Sequence, residues 1–158
     1  AANKRYVPYV IETSVGADRV TLAIMVNALR EEAVPGEQEG RTVMGFHPAL
    51  APIKAGVFPL TKKDGQPEMA EKLAASLRRK FNVFYDEAGA IGRRYRRQDE
   101  AGTPFGITID GDSTANNDVT IRFRDNMGQI RVGADKVVEV IATYLDADHK
   151  TADSTLVG

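Results

Sequence analysis

PFGITIDGDSTANNDVTIRFRDNMGQIRVG, residues 104–133, carries the clearest structural signal in the chain. It opens on a short apolar run, 104–110, that reads as a buried strand and ends in the polar turn GDSTANN. Beyond the turn, Val119, Ile121 and Phe123 alternate with Thr120, Arg122 and Arg124. After Asn126 and Met127 the alternation resumes, with Ile130 and Val132 set against Gln129 and Arg131. A period of two with one apolar and one polar face predicts an antiparallel hairpin, half on a core and half toward water. On this pattern Arg122 and Arg124 point to one side, with Arg131 across from them.

Upstream, strands alternate with helices. IKAGVFPL (53–60) is a short apolar run that reads as a strand, and TKKDGQ is a turn. Pro67 suits the first helical position, and Met69, Leu73, Leu77 and Phe81 then form one stripe. NVFYDE (82–87) is a further strand, and AGAIGRRYRRQDEAG (88–102) is a charged helix behind a glycine-rich entry. Strands interleaved with helices imply a parallel or mixed sheet, so the body is a three-layer α/β domain with an antiparallel pair at one side. Downstream, Val137, Ile141, Tyr144 and Leu145 mark a closing helix, followed by a polar tail.

The first third reads differently. RYVPYVIET (5–13) resembles a strand, with Pro8 marking an edge or a bulge. Ser14 is positioned as an N-cap, with Asp18 in the first turn of the next helix. Leu22, Met25, Val26 and Leu29 carry that helix as far as the break VPGEQEGR (34–41), and VMGFHP is an irregular connector. The composition shift places a boundary between Val34 and Leu50.

Bulk properties narrow the function classes. The chain has 158 residues, 42% hydrophobic and 27% charged, which is ordinary for a globular domain with a real core. Its formal net charge of −1 means that binding to a polyanion must come from a local patch. There is no cysteine, which excludes disulfides, cysteine zinc sites and thiol nucleophiles. His47 and His149 stand alone, without metal-ligand spacing. No apolar run reaches membrane-spanning length, and the N-terminal residues do not look like a signal peptide. There is no Gly-x-Ser-x-Gly elbow, Walker loop or dinucleotide fingerprint.

Three stretches concentrate cations. GRRYRRQDE (92–100) sets Arg93, Arg94, Arg96 and Arg97 around Tyr95. Guanidinium groups bridge phosphates and stack on bases, and a phenol ring adds a π-face. A solvated, ion-paired helix explains the same string. The polar face of the hairpin offers Arg122, Arg124 and Arg131 with Gln129, a surface for a bent RNA loop, unless Asp118 and Asp125 pair with those arginines. Thr61, Lys62 and Lys63 follow the first strand of the body, at the edge where α/β sheets gather ligands, or form a solvated turn.

Four stretches in series carry a resemblance: YVPYVIETSVGADR, LAPIKAGVFPL, YDEAGAIGRRYRRQDEAGTPFGITID and DVTIRFRDNMGQIRV. Together, from about residue 6 to 145, they resemble the C-terminal part of glycyl-tRNA synthetase of the homodimeric class II type. The resemblance implies that residues 1–45 are the end of the catalytic domain, with a motif 3 strand and helix. It implies that residues 46–158 are an anticodon-binding domain, a five-stranded mixed sheet flanked by helices. By position it assigns Glu12 and Ser14 to the glycine amino group and Arg19 to ATP. A carboxylate suits an ammonium, and an arginine suits phosphate. Motifs 1 and 2 would lie before Ala1, so the chain alone is expected to be inactive.

As the family is known, the parent enzyme would be a cytoplasmic homodimer that ligates glycine to tRNA-Gly with ATP and Mg2+, with no DNA or membrane partner. The residues able to meet tRNA are Arg93, Arg94, Arg96, Arg122, Arg124, Gln129 and Arg131, with Asp99, Glu100 and Asp125 as acceptors for a cytosine amino group. Gly106 stands where relatives often carry a larger residue, which implies locally loosened packing. Two other functions compete. One is a synthetase-like interaction module without activity, as in a mitochondrial polymerase accessory subunit. The other is an independent flavodoxin-like nucleotide enzyme, against which the missing phosphate loop argues.

Overall fold

A computed structural model describes residues 5–34 and 40–146. Residues 5–16 hold no strand and lie exposed, contrary to the expectation for RYVPYVIET. Twelve residues form α1 (Ala17–Ala28), capped at Gly16 rather than Ser14, with Asp18 in the first turn as expected. The helix stops six residues before Val34 because Leu29 turns to extended backbone. From there β1 (Leu29–Glu32) pairs antiparallel with β2 (Arg41–Met44), the part of the chain expected to be helix end and irregular connector. That ladder faces Glu32 to Arg41, and their ion pair closes at 2.6 Å.

The body follows the sequence pattern. β3 (Ala55–Pro59), α2 (Gln66–Leu77), β4 (Val83–Tyr85), α3 (Ile91–Ala101) and β5 (Phe105–Ile109) alternate as anticipated. The polar turn after β5 is instead a helix, α4 (Gly111–Asn116). Asp110 and Ser113 exchange side-chain and backbone hydrogen bonds in a capping box, enough to start a helix in a string rich in turn residues. β6 (Asp118–Phe123) and β7 (Gln129–Gly133) form the hairpin, and α5 (Val137–Asp146) closes the fold. The tail 147–158, His149 included, lies outside the described residues.

The main sheet has five strands in the order β4-β3-β5-β6-β7, parallel through β4, β3 and β5 and antiparallel from β5 to β7. Its two faces divide the work. One registered row runs Val57–Ile107–Ile121–Ile130. It packs under Leu73 and Leu77 of α2 and Val137, Ile141 and Tyr144 of α5. The Tyr144 ring meets Phe123 edge-on at 4.8 Å.

The row beside it, on the opposite face, runs Gly56–Gly106–Arg122–Gln129. Cβ atoms at the two glycines would strike the rings of Phe58 and Tyr95. These rings stack edge-on at 5.2 Å. So α3 seats Tyr95 directly on β5, over a strand with no side chain in the way. Gly106 leaves no loose packing: the Tyr95 ring fills its place, which corrects the sequence expectation. Gly106→Ala should therefore destabilise the fold by about 1–3 kcal/mol through overpacking. Urea unfolding checks it, and a wild-type midpoint would mean that Tyr95 moves freely aside.

α1 carries its apolar stripe in the open. Leu22 is 62% exposed and Val26 is 68% exposed, with Met25 and Leu29 also uncovered. No helix among the described residues is long and apolar enough to cross a membrane.

Candidate nucleic-acid interface

The four arginines of α3 do not act together. Helical spacing turns Arg94 and Gln98 into the body and leaves Arg93, Arg97 and Glu100 exposed. Arg94 is 3% exposed, and its guanidinium donates to the carbonyls of Pro59 at 2.6 Å, Asp86 at 3.2 Å and Gly89 at 3.1 Å. It ties the ends of β3 and β4 to α3. Arg97 reaches Asp86 and the carbonyl of Ala88. Among the Lys-rich turn residues after β3, Lys62 pairs with Glu87 at 2.9 Å.

The hairpin arginines also separate. Arg124 follows the last residue of β6 and is 1% exposed. It donates to the carbonyls of Gly102 at 2.8 Å and Phe46 at 2.7 Å, and to both carboxylate oxygens of Asp125 at 2.9 Å. It does not share the open face with Arg122. Arg94 and Arg124 are thus fold-building cations, and their buried position removes them from any surface contact. Asp125 is engaged twice, because Arg30 of β1 also donates to it at 2.8 Å.

Arg131 pairs with Asp110 at 3.0 Å and Asp118 at 2.7 Å, the ion pairing weighed in the sequence reading. Its guanidinium holds the Asp110 carboxyl down at about 2 against an ordinary 3.8, with burial opposing. A depressed value stabilises the fold fully above about pH 4, and the contribution is lost as pH falls toward 2. Asp110→Asn keeps an N-cap and should flatten that acid limb, by on the order of 1 kcal/mol because Arg131 is partly solvated. Acid denaturation of the two proteins checks it.

Among the described residues, a concavity of about 250 Å³ lies between α3, the β6–β7 hairpin, Val34 and Arg41. α3 contributes Gly92, Tyr95, Arg96 and Asp99; the hairpin contributes Arg122, Met127 and Gln129; Val34 and Arg41 close the third side. Asp99 is its hub. One oxygen accepts from Arg122 Nη1 at 3.1 Å, and the other from Arg122 Nη2 at 3.1 Å and Arg41 Nη1 at 3.0 Å. The Arg122 guanidinium lies 4.8 Å above the Tyr95 ring, a cation–π contact. The Tyr95 hydroxyl shares a 2.6 Å hydrogen bond with Thr108, and burial pushes its phenol up, so it stays neutral. Met127 stands at φ 56° in the hairpin turn, and Gln129, registered opposite Arg122, is exposed.

The arrangement suits an unstacked base: a braced cationic plane, a flexible amide and apolar walls. Of the residues singled out from sequence, it gathers Arg96, Asp99, Arg122 and Gln129. It leaves Arg93 and Glu100 on the outer surface of α3 and Arg131 farther along β7. The sequence reading missed Arg41, Val34 and Met127. Arg41 sits at the edge of a Pro/Gly-rich break, where nothing in the string marks it as buried.

Residues 54–144, more than half of the chain, match the anticodon binding domain family. The chain belongs to that family. This anticodon binding domain protein is 54% identical over 148 residues to a glycine–tRNA ligase of Rhodopirellula baltica, covering 92% of this chain and 28% of that protein. It is 48% identical over 146 residues to one of Treponema denticola, covering 90% of the chain and 32% of that protein. The chain thus spans roughly a third or less of the curated relatives it matches. Prolyl-tRNA synthetase of Cryptosporidium parvum shares the fold with TM-score 0.63 at 16% identity, over 69% of this chain and 24% of that one. The RNA binding domain of threonyl-tRNA synthetase from the same organism does so with TM-score 0.54 at 22% identity, over 58% and 23%. Val34 and Arg41 precede the matched residues.

Proposed function

We propose that the chain is the anticodon-reading part of a glycine–tRNA ligase and that the concavity receives anticodon bases of tRNA-Gly. The observation that carries this is the row Gly56–Gly106–Arg122–Gln129: α3 seats Tyr95 on the glycines and braces Arg122 through Asp99, and the row runs out to an exposed Gln129 at the rim of the concavity. Arg122 and Gln129 are left as directional groups beside an open space. An arginine fork or an amide discriminates base edges, and surrounding cations hold phosphates without reading them.

Arg93 and Arg96 take the phosphate role in this reading, and Arg131 is held by Asp110 and Asp118. Glycine anticodons end in two cytosines, each with an amino donor. Both oxygens of Asp99 are engaged and Asp125 serves Arg124 and Arg30, so the carbonyl of Gln129 is the nearer acceptor. Glu100 is exposed on α3 and available to RNA from outside the concavity.

The parent enzyme would ligate glycine to tRNA-Gly using ATP with Mg2+, as a cytoplasmic homodimer, with residues 1–45 finishing its catalytic domain and 46–158 forming the anticodon-binding domain. Glu12 and Ser14 would then meet the glycine ammonium and Arg19 the ATP phosphates. All three are exposed, and the open stripe on α1 supports the reading, since a wide apolar face is normally covered.

The test is filter binding of the chain to tRNA-Gly and to the same tRNA with its anticodon swapped, over a salt series. Preference for tRNA-Gly and steep weakening with salt are expected. Equal binding to both at low salt overturns the proposal, and no binding to either favours an interaction module.

A further inference from the structure

We infer that Arg41, on β2 and outside the family-matched residues, is a positioning residue for base recognition, acting through Asp99 on Arg122. The inference rests on the reading of the concavity as the RNA site.

Arg41 is buried among polar partners rather than facing water: its side chain is 5% exposed. It donates to Glu32 at 2.6 Å, to Asp99 at 3.0 Å and to the carbonyl of Arg124 at 2.8 Å. One guanidinium therefore joins β1, α3 and the end of β6. The Asp99 side chain, 4% exposed, carries two guanidinium groups at once. With Arg41 present, Asp99 Oδ2 receives an N–H from each side, and the carboxylate plane is fixed. A fixed carboxylate in turn fixes the fork of Arg122, whose face lies on Tyr95 and whose side chain, 12% exposed, lines the concavity.

Arg41 thus does two things at once: it ties the β1–β2 hairpin to the body through Glu32 and the Arg124 carbonyl, and it braces Asp99. A buried carboxylate needs one well-placed arginine to neutralise it, and Arg122 already supplies a two-pronged pair. The second arginine adds little neutralisation but removes the freedom of the carboxylate to rotate. Without it, Asp99 and Arg122 still pair, but the pair can swing into the concavity, and Arg122 loses its preset aim. Binding groups held by locked neighbours discriminate better than loose ones. The ligand class is a single unstacked nucleobase, which the volume and the donor-rich wall accommodate.

The experiment uses the full chain with Arg41→Met, Arg41→Lys, Arg122→Met and the double variant Arg41→Met/Arg122→Met. Each is titrated with tRNA-Gly and the anticodon-swapped tRNA, and thermal melts report folding. Arg41→Met should lower the ratio of the two affinities about 3- to 30-fold, with Arg41→Lys between it and wild type. The double variant should match Arg122→Met alone in that ratio, because Arg41 acts on discrimination only through that side chain. Additive losses in the double variant, or a wild-type ratio in Arg41→Met while Arg122→Met loses discrimination, overturn the positioning role and leave the site reading intact. A wild-type ratio in folded Arg122→Met refutes the site reading itself. Should Arg41→Met not fold, Arg41→Lys decides: a folded lysine variant with the wild-type ratio sinks the inference.

Discussion

Arg124→Met should lower the unfolding free energy of the chain by about 2–4 kcal/mol, since two backbone carbonyls lose a charged donor at roughly 1–3 kcal/mol each, while Asp125, 37% exposed, can turn to water. The side chain is 1% exposed and joins three separate places: the carbonyl of Phe46, the carbonyl of Gly102 and the carboxylate of Asp125. Methionine fills much of the volume but donates nothing. Two carbonyls then lose a charged donor in the interior, and Asp125 keeps only Arg30. Because Phe46 follows β2 directly, the same loss should loosen the β1–β2 hairpin from the body. Equilibrium denaturation measures the first effect, and hydrogen exchange in residues 41–46 the second. A shift below about 1 kcal/mol would mean that water replaces the guanidinium, and that this arginine is less central than its hydrogen bonds imply.

Arg122→Ala and Gln129→Ala should each cost about 1–3 kcal/mol of preference for tRNA-Gly over the anticodon-swapped tRNA, with little change in binding to the swapped RNA. Arg93→Ala should do the reverse. It should weaken both RNAs equally and reduce the salt slope by about 0.7, as for one lost phosphate contact to a single strand. The contrast follows from geometry. Arg122 and Gln129 share one registered row beside the concavity, whereas Arg93 points outward from α3. Gln129 is the cleaner probe, since Arg122 also neutralises Asp99 and its removal leaves Arg41 as that carboxylate's partner. Filter binding at several salt concentrations separates the two classes. If Gln129→Ala and Arg122→Ala both discriminate like wild type, the anticodon is read elsewhere on the molecule.

Local periodicity was enough to place most of the body. The alternation of 119–123 and 129–132 gave both strands of the hairpin and its apolar face. The stripe Met69, Leu73, Leu77 and Phe81 gave α2, and Val137, Ile141 and Tyr144 gave α5. These segments were legible because each pairs a regular apolar period with a single buried face. The failures came where a long-range partner overrides local preference. Leu29–Glu32 continues a helical pattern yet becomes β1, because Arg41–Met44 offers a ladder and Glu32 an ion pair with Arg41. GDSTANN reads as a turn yet forms α4, because Asp110 and Ser113 cap it reciprocally. Gly106 reads as a gap yet lies under Tyr95, a residue eleven positions earlier on another element.

The candidate site divides the same way. The mixed α/β architecture and the polar hairpin face were legible in the string, because a period of two or of 3.6 exposes them, and the arginines could be counted. The string did not determine which arginine does what. Arg94, Arg122 and Arg124 are chemically identical, and two of them occur in one alternating strand pattern. Packing of distant elements sends Arg94 and Arg124 to backbone carbonyls in the interior and sets Arg122 over Tyr95 at the concavity. It also brought Arg41 across 58 positions of sequence to Asp99. A guanidinium's role is set by which acceptors and how much water surround it, and those neighbours come from the packing of distant elements, which no local pattern encodes.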